Sequence, residues 1–307
     1  MTLAAAGNAV NDGAHTAFGR IRKVMNRLRI SAISYLNTVP LMWDFEHRAP
    51  EFGLPQPESP KTADAALFDI SYTIPSVCAR ALTEGMADIG IIPAAAYTTI
   101  PDLVIVPDVA IAARNAVRSI LLVSKMPVDQ VRTVALDTSS LTSVALTKIL
   151  FAKWLGGARS YTAMAPNLDE MLSTCDAALL IGDPALKVDR ARYITLDLAE
   201  EWHARTGKSF VFAFWAVRRA ALAGRDPRAI AKLFAQSRDH GVMPEHLEVI
   251  AGEWAPRLDL PLETIRSYLV RNIHYYLDPP SLEGLALFYR LGAEIGALPP
   301  APELQFL

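Results

Sequence analysis

The sequence predicts an α/β protein in which mostly parallel strands form sheets that helices cover on both faces. Short apolar runs of strand length alternate with helical segments along most of the chain, a pattern typical of such sheets. The 307 residues suffice for two domains, and 51% hydrophobic residues with a mean hydropathy of +0.21 supply sizeable cores. The polar segment 114–118 and the aromatic segment 210–217 predict two crossings between the domains. A ligand cleft is therefore expected between them.

These crossings predict a discontinuous domain organisation. Residues 28–115 and 215–307 are expected to form the first lobe, and residues 116–214 the second. Residues 1–27 lack the apolar segment of a secretory signal and are expected to form a flexible extension. We accordingly expect a cytoplasmic protein.

The composition narrows the classes of partner. A net charge of −2, without a basic stripe, argues against nucleic acid, and no apolar run is long enough to span a membrane. Cys78 and Cys175 stand outside any CxxC motif and are expected to be buried thiols. The six histidines show no metal-ligand spacing, so neither a metal nor a cofactor is expected. The expected partner is a small molecule, bound by a monomer or a homodimer.

The first elements form a strand-to-helix corner. The apolar run 30–33 stops at the polar turn 34–37, and Pro40 follows, which predicts a strand, a turn and a helix over 38–47. A Pro-rich loop is expected at 50–60. Similar patterns predict further strands at 67–71, 86–93, 103–106, 110–113, 119–124, 131–136, 177–181, 194–198 and 210–217.

Helices are predicted between and after these strands. The early ones occupy 74–84, 144–155 and 200–205, and a capping box at 167–170 opens another. The C-terminal part reads as helices at 227–240, 244–254, 261–272 and 281–292, each starting at or near Pro or Ser. No internal repeat is evident.

Three strand ends carry small polar residues and hardly any bulky charge. Carboxyl ends of strands meet in one crevice, where hydroxyls, amides and helix N-termini can hold an anion without Arg or Lys. We therefore expect a small mono- or dicarboxylate ligand. The candidate binding residues are Ser34, Tyr35, Asn37, Thr138, Ser139, Thr142, Ser143, Gly182 and Asp183.

Other roles remain open for several of these residues. Asn37, Thr138 and Ser139 could be ordinary helix N-caps, and Asp183 before Pro184 has the form of a cap. Phe212 and Tyr97 could line the pocket, although alternating aromatics on a strand more often form core.

Five ordered motifs resemble the chorismate dehydratases of the futalosine route of menaquinone biosynthesis. The resemblance spans nearly all of residues 28–295. The motifs are SYLNTVPL at 34–41, GMADIGIIP at 85–93, LDTSSLTSVAL at 136–146, AALLIGDPAL at 177–186 and TGKSFVFAFW at 206–215. The resemblance implies a two-lobed fold of the type II periplasmic-binding-protein class, with a helical C-terminal region.

The family reaction removes water from chorismate to give 3-[(1-carboxyvinyl)oxy]benzoate. Because Ser, Thr and Asn do not titrate usefully near neutral pH, we hypothesise that the enolpyruvyl carboxylate of the substrate takes the C3 proton. Asn37 would then stabilise the developing charge, and Asp183 is the competing base. Many family members carry Ser where this chain has Ala94. That loop either contributes backbone N–H groups only, or Ser119 substitutes for the missing hydroxyl.

Three other functions compete with this one. The same architecture serves non-catalytic solute-binding proteins, because a fold does not fix a function. The sister enzyme of the route, which cleaves a later intermediate, usually has a different turn after its first strand. A binding module or sensor for an aromatic acid is the third alternative.

Overall fold

A computed structural model describes residues 27–47 and 68–307. The predicted loop at 50–60 and the predicted extension, apart from Arg27, lie outside these residues. The strands in chain order are β1 (Leu28–Ile33), β2 (Phe68–Thr73), β3 (Ile89–Pro93), β4 (Leu103–Ala113), β5 (Ile120–Ser124), β6 (Thr133–Asp137), β7 (Ser160–Met164), β8 (Ala177–Ile181), β9 (Ile194–Asp197) and β10 (Phe210–Arg218).

These strands form two five-stranded sheets, with the orders β2-β1-β3-β10-β4 and β7-β6-β8-β5-β9. In the first sheet β10 runs antiparallel to both neighbours, and in the second sheet β5 does so. The remaining pairs, β1 with β2 and β3, and β6 with β7 and β8, are parallel. Each sheet is thus mostly parallel in direction, with one reversed strand.

Helices flank both sheets. They are α1 (Trp43–His47), α2 (Pro75–Thr83), α3 (Thr142–Lys153), α4 (Leu168–Thr174), α5 (Gly182–Leu186), α6 (Leu198–Thr206), α7 (Pro227–Gly241), α8 (Pro244–Leu258), α9 (Leu262–Ser267) and α10 (Pro279–Glu294). The C-terminal region is helical, as predicted. The helix start predicted at 167–170 is also confirmed, because Asn167 is the N-cap and its side chain accepts a hydrogen bond from the N–H of Glu170.

The fully apolar run 177–181 forms β8, the central strand of the second sheet. This confirms the prediction from its composition, since a strand covered on both faces needs no polar side. The prediction of two short strands at 103–106 and 110–113 was wrong, because β4 is continuous. Its pairing with β10 shifts register twice, and Asp108 has a φ of +61°. A bulged strand tolerates Pro and a left-handed residue that would break a regular one.

The chain crosses between the sheets twice. It leaves the first sheet after β4 and enters the second at β5, so the polar segment 114–118 lies in the crossing. It returns between α6 and β10. The aromatic segment 210–217, expected to make this return, belongs to β10 of the first sheet instead. We call each sheet, with the helices packed on it, a lobe.

A continuous apolar core joins the two lobes. Phe210, Trp215 and Phe234 are fully buried on the first lobe, and Phe151 and Trp202 on the second. Trp202 packs edge-on against Phe210, which links α6 to β10. Cys78 and Cys175 are free and buried, as the sequence predicted.

Candidate functional site

A narrow cleft lies between the lobes, at the ends of strands from both sheets. The lining residues are Ile33, Tyr35, Asn37, Pro75, Pro93, Ile111, Ile120, Ser140, Thr142, Ser143, Ile181, Gly182, Phe212 and Ala213. Asn37 and Thr142, which belong to different lobes, therefore meet at one cavity.

The cleft is apolar on most of its surface and carries uncharged polar groups at a few points. Isoleucines, prolines, Phe212 and Ala213 form its walls, and Asn37, Ser140, Thr142 and Ser143 supply amide and hydroxyl groups. None of the described lining residues is Lys, Arg, Asp or Glu. An anion bound here would be held by neutral donors in a poorly solvated site, where hydrogen bonds are stronger than in water.

The first corner presents Asn37 from a short 3₁₀ helix. β1 ends at Ile33, and the 3₁₀ helix Leu36–Met42 follows with Tyr35 at the cap position. Asn37 is therefore inside the helix, and the alternative in which it is only an N-cap does not hold. The hydroxyl of Thr38, which is buried, donates to Oδ1 of Asn37 at 3.3 Å.

The second corner connects β6 to α3. Ser140 accepts a hydrogen bond from the N–H of Ser143 at 3.1 Å, and both residues line the cleft. Ser139 is buried, and its N–H and hydroxyl donate to Asp137. Thr138 is exposed and does not line the cleft, and neither Thr138 nor Ser139 caps α3.

Thr142 joins this corner to the opposite lobe. Its Oγ1 accepts a hydrogen bond from the N–H of Ala95 at 3.1 Å and donates to the carbonyl of Phe212 at 3.0 Å. Ser139 makes a third contact across the cleft, since its carbonyl accepts from the N–H of Ser76 at 3.1 Å. These bonds hold the lobes in a closed arrangement.

The third corner, between β8 and α5, contains Gly182 and Asp183. Gly182 has a φ of +63°, and a Cβ atom there would lie 2.7 Å from the ring of Tyr35. Only glycine accommodates both this backbone and this approach. Asp183 does not line the cleft and does not cap α5; its Oδ1 accepts from the N–H of Leu36 at 3.1 Å, which is another bond between the lobes.

Burial sets the protonation behaviour of the groups around the cleft. It raises the pKa of Asp183 to about 6, although the hydrogen bond from Leu36 acts in the opposite direction. Burial also raises the pKa of the Tyr35 phenol, which interacts with Ser139. Tyr35 is thus neutral at pH 7 and is available as a hydrogen-bond donor.

Four other predicted residues lie away from the cleft. Ser34 is exposed and lines a separate pocket on the first lobe, where its hydroxyl donates to the carbonyl of Thr73. Tyr97 belongs to the core, where its ring packs on Phe214. Its hydroxyl forms hydrogen bonds with the backbone of the C-terminal segment at residues 303 and 305. The remaining two are Ala94 and Ser119.

Ala94 and Ser119 lie behind the walls of the cleft. Ala94 is fully buried, and its carbonyl accepts from the hydroxyl of Tyr289 at 2.7 Å. Ser119 is also fully buried, and its Oγ accepts from the hydroxyl of Tyr268 at 2.9 Å. The Ser119 hydroxyl therefore does not open onto the cleft in place of one at position 94.

Ser140 lines the cleft although it is not among the residues predicted from the sequence. Its signal was present, because it belongs to the same hydroxyl-rich turn as Ser139 and Thr142. The apolar walls, such as Ile111 and Pro75, had no comparable signal. Within residues 27–47 and 68–307, no group of three His, Cys, Asp or Glu could hold a metal ion, and no helix could cross a membrane.

Comparison with known structures shows the fold. A crystal structure of a protein from Archaeoglobus fulgidus matches with a TM-score of 0.64 and 14% identity, covering 89% of this chain and 98% of that one. The periplasmic aliphatic sulphonate binding protein SsuA of Escherichia coli matches with a TM-score of 0.61 and 17% identity, covering 91% and 96%. The protein thus has the two-lobed periplasmic-binding-protein fold.

Comparison of sequences shows the family. A chorismate dehydratase from Thermus thermophilus is 32% identical over 253 residues, which are 76% of this chain and 89% of that protein. A family model described as menaquinone biosynthesis matches residues 28–294, which include every residue that lines the cleft. The chain therefore belongs to this menaquinone-biosynthesis family.

Proposed function

We propose that this protein is a chorismate dehydratase, which converts chorismate to 3-[(1-carboxyvinyl)oxy]benzoate. The observation that carries the proposal is the closed cleft itself, lined by Asn37 from one lobe and by Ser140, Thr142 and Ser143 from the other. The similarity to a curated chorismate dehydratase over most of both chains supports the same activity.

The lining of the cleft fits the chemistry of the substrate. Chorismate carries one carboxylate on its carbon ring and one on the enolpyruvyl group, and the cleft combines apolar walls with neutral donors. The amide of Asn37 and the hydroxyls of Ser140 and Ser143 are the groups that would bind the carboxylates. Closure of the lobes would exclude water and fix the ring in one orientation, which lowers the entropic part of the barrier.

The reaction needs little from the protein beyond orientation of the substrate and polarisation of the bonds that break. The C3–H bond breaks, and its electron pair forms the C3–C4 double bond while the C4–O bond breaks. The hydroxide leaves C4, combines with the proton and departs as water. The new double bond completes an aromatic ring, which supplies the driving force.

The proton acceptor in this proposal is the enolpyruvyl carboxylate of the substrate. Among the described lining residues the one titratable side chain is Tyr35, and burial keeps its phenol protonated at neutral pH. Asp183 has a pKa suited to a general base, but its carboxylate accepts from the backbone of Leu36 behind the lining. Asn37 would stabilise the negative charge that develops on the substrate.

Incubation of the purified protein with chorismate, followed by chromatography, tests the activity. We expect consumption of chorismate and an equal molar amount of 3-[(1-carboxyvinyl)oxy]benzoate. The Asn37→Ala variant is expected to retain the fold and to lose at least about 100-fold in turnover. Binding of chorismate without conversion would overturn the enzyme assignment and leave a carrier or sensor for an aromatic acid.

A further inference from the structure

Asp197 is a buried aspartate at the junction of β9 and α6, and its carboxylate accepts four backbone hydrogen bonds. As the N-cap of α6, it accepts at Oδ1 from the N–H groups of Ala199 at 3.1 Å and Glu200 at 3.3 Å. The same Oδ1 accepts from the N–H of Val117 at 3.1 Å, and Oδ2 accepts from the N–H of Arg118 at 2.6 Å. A helix cap accounts for the first two bonds only.

The other two bonds hold the first crossing between the lobes, since residues 114–118 lie in that crossing. Arg118 has a φ of +63°, in the left-handed region that non-glycine residues rarely adopt. Hydrogen bonds to a carboxylate are stronger than those between neutral groups, so the bond to Oδ2 stabilises this backbone. The guanidinium of Arg190 lies 3.8 Å from the same oxygen, but its side chain is 41% exposed, and exposed ion pairs contribute little. The left-handed turn at Arg118 therefore depends mainly on Asp197.

The residues that follow this turn connect it to the cleft. The carbonyl of Ser119 accepts from the N–H of Gly182 at 2.7 Å. Ile120 and Gly182 both line the cleft, and Gly182 lies directly against the ring of Tyr35, which lines it as well. A change in the backbone at Arg118 would thus move one wall of the cleft together with the β8–α5 corner.

We infer that Asp197 is a positioning residue, which fixes the backbone of Arg118 and thereby places Ile120 and the β8–α5 corner at the cleft. The inference rests on the proposed dehydratase function. Asp197 does not line the cleft, so it acts through these residues rather than on the substrate.

The Asp197→Asn variant breaks one of the four bonds selectively. An asparagine that keeps its oxygen at the Oδ1 position retains the bonds from Val117, Ala199 and Glu200, and its NH₂ group then faces the N–H of Arg118. We expect kcat/KM for chorismate to fall by about tenfold or more, because small displacements of the groups that position a substrate have effects of this size. A wild-type kcat/KM in this variant would overturn the inference.

Arg190→Gln provides a matched control for the charge that Asp197→Asn also removes. It eliminates the exposed ion pair and leaves all four hydrogen bonds of Asp197 in place. The value of kcat/KM is expected to stay within about twofold of wild type, as for most exposed ion pairs. Equal losses in Arg190→Gln and Asp197→Asn would assign the effect to the ion pair and would contradict the inference.

A second substitution at Arg118 separates positioning from the stability of α6. Glycine adopts the left-handed backbone without steric cost, so a glycine at 118 no longer needs the bond from Asp197. We expect the Asp197→Asn/Arg118→Gly double variant to recover kcat/KM to within about threefold of Arg118→Gly alone. A loss caused by a weakened helix cap would persist in the double variant, and a failure to recover would therefore overturn the inference.

A spectroscopic measurement separates this inference from the proposed function. The chain has 16 glycines, so ¹⁵N-glycine labelling gives 16 backbone amide signals, and Gly182→Ala identifies the one of interest. We expect Asp197→Asn to shift the Gly182 signal and Arg190→Gln to leave it in place. An unshifted signal in Asp197→Asn would overturn the positioning role, whether or not wild type converts chorismate. A shift in Asp197→Asn combined with no turnover by wild type would overturn the dehydratase function alone.

Discussion

Asn37 and Asp183 are the two candidate catalytic residues, and their side chains lie on different sides of the cleft lining. Asn37 faces the cleft, whereas Asp183 lies behind it and accepts from the backbone of Leu36. The Asp183 carboxylate, which accepts this bond, links the two lobes and does not line the cleft where the substrate would bind. Of the two residues, Asn37 is the one that lines the cleft, and the proposed reaction assigns it to the developing charge.

Replacement of these two residues distinguishes the possible proton acceptors. Asp183→Asn keeps an oxygen acceptor for Leu36, so kcat is expected to stay within about threefold of wild type, whereas Asn37→Ala loses at least about 100-fold. Steady-state kinetics between pH 5 and 8 provide the measurement. A loss of 100-fold in Asp183→Asn, with a wild-type rate that falls below the pKa of about 6, would identify Asp183 as the base instead.

Asp183 is also expected to affect how stability depends on pH. Burial raises its pKa from 3.8 to about 6 in the folded protein, so the folded state binds the proton more tightly than the unfolded chain. The resulting stabilisation is complete below the unfolded pKa and is lost as the pH rises through the folded pKa. Between pH 4 and 7.5 this amounts to about 2 kcal/mol.

Urea denaturation of wild type and Asp183→Asn at both pH values measures this effect. The free energy of unfolding of the variant, relative to wild type, is expected to be about 2 kcal/mol higher at pH 7.5 than at pH 4. A constant difference between the two proteins would show that the Asp183 carboxyl titrates alike in the folded and unfolded states.

Strand ends were the elements that the sequence predicted best. The three corners all lie beside the cleft, because apolar runs followed by small polar residues mark the carboxyl ends of strands. Thr138 and Ser34 do not line the cleft, because a turn of three or four residues presents only some of its side chains to one side. Tyr97 lies in the core, and its hydrogen-bond partners, at residues 303 and 305, are about 200 positions away in the sequence. Such long-range contacts leave no local pattern.

The β8–α5 corner depends on the glycine at its start. Gly182 and Gly207 have nearly the same φ, +63° and +66°, but a Cβ at Gly207 would meet no atom within 4 Å. Alanine at either position is expected to lower the free energy of unfolding by about 1 kcal/mol or more, because the backbone there is left-handed. At Gly182 the methyl group would also displace the ring of Tyr35 from the cleft.

The Gly182→Ala and Gly207→Ala pair therefore separates backbone strain from the close approach. Both variants are expected to lose stability in thermal denaturation. Only Gly182→Ala is expected to lose activity, by about tenfold or more, because Tyr35 lines the cleft. Equal activity in the two variants would show that the contact of Gly182 with Tyr35 has no part in the site.

The molecule as a whole is held closed by direct bonds across the cleft. Ala95, Phe212, Ser76 and Leu36 on the first lobe bond to Thr142, Ser139 and Asp183 on the second. These hydrogen bonds stabilise the closed arrangement, and a ligand that contacts both lobes would stabilise it further. Closure and binding should then be coupled.

Thr142→Val removes the hydroxyl that bonds to Ala95 and Phe212 while it keeps the shape of the side chain. The buried N–H and carbonyl lose their partner, which costs about 1–3 kcal/mol in the closed state and corresponds to about 5- to 150-fold in the closing equilibrium.

Thr147→Val is the control, because the Thr147 hydroxyl donates to the carbonyl of Ser143 within the same helix. Small-angle X-ray scattering of the unliganded proteins is expected to give a larger radius of gyration for Thr142→Val alone. Saturation with 3-[(1-carboxyvinyl)oxy]benzoate should restore the wild-type radius, with an apparent Kd raised within that range. A weaker Kd without a change in radius would instead mean that Thr142 contacts the ligand and does not control closure.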